Sequence, residues 1–128
     1  MTLNANVKLW LAALRSDEYR QGQTALHKKA DDDGPDMWCC LGVACDVYLK
    51  AGGTLKVKKR QRPRDPWASY DGETAFLPKV VLEWLGLRTQ TGSFARGSLI
   101  RANDSGISFS EIADIIESEP EGLFEEAP

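Results

Sequence analysis

Several features that define common protein classes are absent from this sequence. No apolar run approaches the roughly 20 residues that a membrane-spanning helix needs. The opening residues, MTLNANVKLW, lack the basic and apolar segments of a secretory signal, so we expect a cytoplasmic protein. The glycine-rich patterns that bind nucleotide phosphates, GxGxxG and GxxxxGKS/T, do not occur either, and no cofactor is predicted.

Cysteine and histidine are also scarce, which limits metal binding and thiol chemistry. The chain has three cysteines, Cys39, Cys40 and Cys45, and one histidine, His27. An odd number with an adjacent pair is not typical of a secreted disulfide framework, so we expect reduced thiols inside a cell. Zinc sites usually have four ligands, and Cys39 and Cys45 point about 120° apart on a helix, so no metal site is predicted.

Apolar periodicity predicts a helix towards each end of the chain. Apolar residues recur at i, i+3, i+4 and i+7 from Val7 to Leu14, with an asparagine cap at position 4 or 6. Ser108 and Glu111 have the spacing of a capping box, and a second apolar run of the same period follows them. We therefore expect two amphipathic helices that each bury one face.

The stretch WCCLGVACDVYLKAGG, residues 38–53, predicts a central helix. From about Cys39 to Ala51 its apolar residues lie on nearly all sides, which is typical of a buried helix, and a double glycine ends it. The cysteines are interpreted as small packing residues. Asp46 is the exception, and we expect it to face solvent or to pair with Arg15 or Arg20.

The middle of the chain predicts a hairpin and a further helix. Asp71-Gly72 is a two-residue turn signal between apolar segments that carry Trp67 and Leu77. Pro78 suits the first position of a helix. The expected buried face of that helix comprises Val80, Val81, Trp84 and Leu85. A short helical turn is expected at residues 98–102, and the Gly, Ser and Thr-rich residues 89–97 are predicted to form a loop.

Together these elements predict an α+β fold, with three to four helices around a central buried helix and a small antiparallel hairpin or sheet. The length of 128 residues suits one globular domain, which we expect to span residues 1–118. Residues 119–128 are acidic and are predicted to form a flexible tail. One core is expected to contain Trp10, Leu14, Leu41, Cys45, Trp84, Ile112 and Ile116.

The net charge of −3 conceals one strongly basic segment. Residues 56–64, KVKKRQRPR, hold six positive charges, whereas the rest of the chain has 10 basic and 19 acidic residues. We expect this segment to be exposed and mobile. With two aromatic residues nearby, it offers phosphate contacts and stacking faces to a nucleic acid. The candidate binding residues are Lys56, Lys58, Lys59, Arg60, Arg62, Arg64, Trp67 and Tyr70.

Two observations weigh against stronger functional interpretations. The pI near 5.2 opposes tight binding of nucleic acid, and a solvated connector is the simpler interpretation of the basic segment. Cys39 is expected near a helix N-terminus, where the dipole lowers a thiol pKa, and His27 could act as its base. A separate cysteine and histidine occur by chance in most chains of this size, so no catalytic residue is assigned.

Five motifs occur in order along nearly the whole chain: WxxALRSxxYxQG from Trp10, CCLGVxCD from Cys39, LPxxV from Leu77, WLGL from Trp84 and NDxGxSFxEIAD from Asn103. Together they resemble a family of small uncharacterised proteins of bacteriophages and prophages. The resemblance implies the cytoplasm of an infected or lysogenic bacterial host. It implies no known activity, cofactor or catalytic residue.

The sequence thus favours a phage accessory protein that acts as a non-catalytic binding module for a host or phage macromolecule, with a protein as the expected partner. A nucleic-acid-binding protein that uses residues 56–64 is the first alternative. A cysteine-dependent enzyme is the second. No membrane contact is expected, and the pattern of residues does not predict an oligomeric state.

Overall fold

The structure is a computed structural model that describes residues 4–28, 36–59 and 68–125. These residues form five helices: α1 (Ala5–Arg15), α2 (Cys40–Lys50), α3 (Lys79–Leu85), α4 (Leu99–Asp104) and α5 (Phe109–Glu117). They also form seven short strands: β1 (Arg20–Gln21), β2 (His27–Lys28), β3 (Met37–Trp38), β4 (Val57–Lys59), β5 (Ala68–Tyr70), β6 (Ser93–Phe94) and β7 (Gly97–Ser98). The predicted α+β fold class is confirmed.

The predicted helix at the N-terminal end and the central helix are both confirmed. Asn4 caps α1, because its side-chain oxygen accepts a 2.7 Å hydrogen bond from the backbone N–H of Val7. Cys39 takes the cap position of α2, and its sulfur accepts from the N–H of Gly42 at 3.4 Å. Helix α2 packs against α1, α3 and α4, and it therefore occupies the centre of the fold.

The strands pair in three separate sheets within the described residues. In the first, β3 lies between β1, which is parallel to it, and β2, which is antiparallel. The pairs β4–β5 and β6–β7 are antiparallel. The β6–β7 pair lies where a loop was predicted. Its four residues carry no apolar alternation that would have signalled strands.

The predicted turn at Asp71-Gly72 is present, but the hairpin around it differs from the prediction. Both residues have positive φ, 51° and 85°, and the turn closes on the bridge between Tyr70 and Glu73. Strand β5 pairs with β4 and not with the segment that leads to residue 77. Asp71 explains this choice, because its backbone N–H and its carboxylate both bind the backbone of Lys56.

Helix α3 buries less of its apolar face than predicted. Pro78 is its cap and not its first residue. Val81 and Leu85 are buried, but Val80 is 37% exposed. Trp84 is partly buried and meets the ring of Tyr48 edge-on, with ring centroids 5.3 Å apart. A helix of seven residues has two turns and presents only one narrow face to α2, so adjacent valines cannot both be buried.

The Ser108 half of the capping box of α5 is confirmed, whereas the prediction of a flexible tail is wrong for residues 119–125. Ser108 accepts from the backbone N–H of Glu111, as predicted. Beyond the helix, Leu123 is fully buried, and its carbonyl accepts from the N–H of Arg88 at 3.0 Å. Burial of a leucine and main-chain pairing outweigh the repulsion among the acidic side chains. The domain therefore continues past residue 118, and residues 126–128 lie outside the described part.

One core holds the helices together; six of the seven predicted core residues belong to it, and the seventh, Trp84, is partly buried and packs against it. Within it, α2 approaches the segment before β2 very closely. A Cβ atom on Gly42 would lie 1.7 Å from the carbonyl oxygen of Leu26, so only glycine fits there. The small residues of α2 thus allow its neighbours to approach closely, as the sequence suggested.

A buried amide connects three further elements. The side chain of Asn103 on α4 is fully buried, and its oxygen accepts from the backbone N–H of Cys40 and the side chain of Gln21, both at 3.1 Å. Its NH₂ group donates to the carbonyl of Gly22 at 2.7 Å. Asn103 therefore joins α4 to the start of α2 and to the end of β1.

Replacing Leu41 by Ala tests the central position of α2. Leu41 is fully buried, so we expect Leu41→Ala to lower the free energy of unfolding by about 2–5 kcal/mol. The matched control is Leu9→Ala on α1, because Leu9 is 49% exposed and should change stability by less than about 0.5 kcal/mol. Chemical denaturation measures both. Equal effects of the two substitutions would contradict the assigned core.

Candidate binding groove

A surface groove lies beside α2, between the turn after α1 and strand β3. Its volume is about 850 Å³. It is lined by two aromatic residues and five charged ones: Asp17, Glu18, Tyr19, Arg20, Asp36, Trp38 and Lys50. We call this surface the aromatic groove. None of these residues was among the sequence-predicted site residues.

A tyrosine, a carboxylate and a lysine form one wall of the groove. The hydroxyl of Tyr19 donates to the carboxylate of Asp46 and accepts from the ammonium of Lys50 at 3.0 Å. That ammonium also pairs with Asp46 at 3.2 Å and lies 5.1 Å from the centroid of the Tyr19 ring. Burial and the hydrogen bond to Asp46 raise the pKa of Tyr19 above its ordinary value, so the hydroxyl keeps its proton.

The expectation that Asp46 needs a partner is confirmed, but its predicted partners are wrong. Arg15 instead binds Asp114 at 2.8 Å and Glu117 at 3.0 Å, both on α5. Arg20 is an exposed residue of β1. Lys50 lies four residues after Asp46 on the same helix face, where an ion pair is favourable, and this spacing was a signal available in the sequence.

The single histidine of the sequence, His27, lies behind the groove and contacts three side chains. Nε2 of His27 binds the carboxylate of Asp36 at 2.7 Å, and Nδ1 binds the hydroxyl of Tyr70 at 2.8 Å. The ring of Trp38 stacks on the imidazole, with centroids 3.7 Å apart and planes 9° from parallel. Since a carboxylate only accepts hydrogen bonds, Nε2 carries a proton and donates to Asp36.

The two aromatic rings of the groove form a fixed corner. The ring centroids of Tyr19 and Trp38 are 5.5 Å apart, and the planes are nearly perpendicular at 87°. Lys50 and Asp46 hold Tyr19 from one side, and His27 supports Trp38 from the other. Both rings remain partly exposed. The corner therefore offers an amphipathic surface whose side-chain orientations are set before anything binds.

The basic segment predicted as a binding site lies partly in the described residues. Lys56 and Lys58 are exposed, Lys58 within β4. Lys59 belongs to the same strand. The remaining basic residues and one aromatic residue of the prediction lie outside the described ranges: Arg60, Arg62, Arg64 and Trp67.

Tyr70 does not provide the predicted stacking surface. Its side chain is 2% exposed, and burial raises its pKa above the ordinary value, so the hydroxyl stays protonated. The reason is the antiparallel pairing of β5, which directs this ring towards the core and its hydroxyl towards His27.

The three cysteines are buried, and their burial disfavours the reactive thiolate form. Burial raises the pKa of Cys39 from 9.0 to about 11 and the pKa values of Cys40 and Cys45 well above 9.0. The expectation that the helix start lowers the pKa of Cys39 is therefore wrong, because loss of hydration outweighs the dipole there. The hydrogen bonds of His27 go to Asp36 and Tyr70. Among the described residues, no cluster of side chains is suited to hold a metal ion.

Comparisons with known proteins give the family but no precedent for the site. Residues 3–120 match the family described as a domain of unknown function, DUF8296, and the chain belongs to this family. Comparison with curated proteins and with solved structures found no match. Across the described ranges, the helices are too short or too polar to cross a bilayer.

Thiol labelling tests the assignment of the cysteines as packing residues. We expect Cys39, Cys40 and Cys45 to remain unmodified in the native protein at pH 8, because burial limits access and disfavours the thiolate. Mass spectrometry after reaction with a maleimide should show three adducts only when denaturant is present. Rapid modification of any one cysteine in the folded protein would contradict this assignment.

Proposed function

We propose that the chain is a bacteriophage or prophage accessory protein that acts as a non-catalytic binding module for a host or phage protein. The observation that supports this proposal is the fixed corner of Tyr19 and Trp38 in the aromatic groove. Tyrosine and tryptophan are enriched among the residues that contribute most to protein interfaces. The phage setting, in the bacterial cytoplasm, rests on the five sequence motifs.

The way in which the corner is supported favours a binding role. A side chain that is already fixed loses little conformational entropy when a partner binds. Here Trp38 is fixed by a stacked imidazole, and Tyr19 is fixed by two polar partners. The His27 ring and the Tyr19 hydroxyl are the groups that could take part in chemistry. Both are already hydrogen-bonded to neighbouring side chains: His27 to Asp36 and Tyr70, and Tyr19 to Asp46 and Lys50. The arrangement therefore organises a contact surface.

The charges around the corner favour a protein over a nucleic acid. Three carboxylates line the groove, from Asp17, Glu18 and Asp36, together with the two cations of Arg20 and Lys50. Phosphate groups would be repelled by the carboxylates, whereas a protein segment can present both signs of charge. Lys50, moreover, is neutralised by Asp46 within the same wall.

Selection of peptides tests the proposed function directly. Peptides of 12 residues chosen from a random display library on the native protein should shift the indole N–H signal of Trp38 in NMR spectra. Trp38→Ala should weaken their binding at least tenfold, as removal of a central aromatic contact does. Trp84→Ala is the matched control, since Trp84 is also partly buried but lies on α3, and it should change affinity less than twofold.

Two results of this selection would contradict the proposal. The first is a library from which no peptide is enriched over several rounds. The second is a set of enriched peptides that bind equally well to the Trp38→Ala protein, provided that its melting curve shows it to be folded.

Nucleic-acid binding is the second candidate, supported by the exposure of Lys56, directly before β4, and of Lys58 within it. Its support is weaker than the sequence suggested, because the aromatic ring expected beside these lysines, that of Tyr70, is buried. A cysteine-dependent enzyme gains no support from the burial of all three thiols.

Fluorescence anisotropy with labelled single-stranded and duplex DNA tests the second candidate. If β4 contacts phosphate, binding in about 50 mM salt should weaken as salt rises, and each lysine removed should lower the salt slope by about one. The variant is Lys56→Ser with Lys58→Ser. Its control is Lys8→Ser with Lys79→Ser, which removes the same charge from exposed positions on α1 and α3. Absence of binding by the unmodified protein would eliminate this candidate.

A further inference from the structure

We propose that the aromatic groove receives a lysine or arginine side chain from an extended basic segment of a partner protein. This inference rests on the proposed function and names the chemistry of the partner. Three features of the groove support it: two partly exposed aromatic rings, two carboxylates that make no ion pair with another described residue, and the ammonium group that the groove already holds.

The groove already binds one ammonium group, its own. Nζ of Lys50 lies 5.1 Å from the centroid of the Tyr19 ring and contacts both the Tyr19 hydroxyl and the Asp46 carboxylate. An aromatic ring attracts a cation over its face, and a carboxylate beside it adds ionic attraction. Trp38 and the acidic turn of Asp17 and Glu18 line the same groove as Tyr19.

Two carboxylates at the edge of the groove make no ion pair with another described residue. They belong to Asp17 and Glu18, which are both exposed in the turn after α1. The turn is held in place, because Ser16 accepts from the N–H of Glu18 at 3.2 Å and Asp17 has a φ of 62°. These carboxylates are therefore positioned to meet a cation that enters beside the two rings.

The second cation of the groove, Arg20, does not remove the preference for a basic occupant. Arg20 is exposed on β1 and is opposed by Asp17, Glu18 and Asp36 around the same groove. An acidic segment would approach two unpaired carboxylates and lose their hydration without gaining a partner. A basic segment would gain ion pairs with them and a cation–π contact with the rings. The charge distribution thus selects a basic occupant over an acidic one.

Titration of the labelled protein with three synthetic peptides tests the inference. The peptides are GSGRKRGSG, GSGEEEGSG and GSGQQQGSG, which differ only in their three central residues; these are basic, acidic and neutral, respectively. We expect the basic peptide alone to shift the NMR signals of Trp38 and Tyr19. Its affinity should fall between 0.1 M and 1 M salt, over which the Debye length falls from about 10 Å to 3 Å.

Charge-neutral variants identify the carboxylates responsible. Asp17→Asn with Glu18→Gln should weaken binding of the basic peptide about threefold to tenfold, the range for two exposed ion pairs. Asparagine tolerates the positive φ of position 17, so the turn is retained. The control, Glu83→Gln with Glu121→Gln, removes equal charge from two exposed positions outside the groove and should leave the affinity unchanged.

The outcomes separate this inference from the function on which it rests. If the neutral or acidic peptide shifts Trp38 as strongly as the basic one, the inference is overturned while the binding function stands. If the basic peptide shifts no groove signal at millimolar concentration, the inference is also overturned, and the display selection decides the function independently. A salt-sensitive dimer abolished both by Lys56→Ser with Lys58→Ser and by the groove variant would identify a second copy as the occupant and overturn the assignment to a partner protein.

Discussion

The buried amide of Asn103 is the contact on which the shape of the groove depends. Its oxygen and nitrogen bind three groups beside the groove: Gln21 of β1, Gly22 directly after β1, and Cys40 at the start of α2, two residues after Trp38 of β3. A displacement of any one would leave a buried polar group without a partner, at a cost of about 1–3 kcal/mol. The segments that carry Tyr19 and Trp38 are therefore fixed relative to one another by a side chain that touches neither ring. The parallel pairing of β1 with β3 joins the same two segments through their main chains.

A second constraint places the histidine. The carbonyl of Leu26 lies against Gly42 and accepts from the N–H of Cys39, which docks the segment before β2 onto the start of α2. His27 follows Leu26 directly and so comes to lie beneath Trp38. The cysteine-rich helix α2 thus positions part of the candidate site through its packing. Its small residues allow the close approach that brings an imidazole under an indole, and its own thiols take no part.

The parts of this structure that were predictable are those coded by neighbouring residues. Helix α1, the central helix, the capping box and the Asp71-Gly72 turn each arise from spacings of four residues or fewer. The aromatic groove was not predicted, because Tyr19 and Asp46 are 27 positions apart, and a lone histidine gives no signal of its contact with Trp38. The acidic tail was misjudged for a related reason. Its charge is a local property, whereas the burial of Leu123 depends on distant partners.

The docking of Leu123 also bears on how the chain folds during synthesis. Helix α1 packs on α2 and on α5, and Arg15 pairs with residues of α5 about a hundred positions later, so the part of α1 that faces α5 lacks its partner until α5 has been made. The core closes later still, when position 123 has left the ribosome. At about 5–20 residues per second, the apolar face of α1 waits several seconds for burial. Nascent chains of this protein therefore expose part of a hydrophobic helix face during synthesis, which a chaperone can recognise.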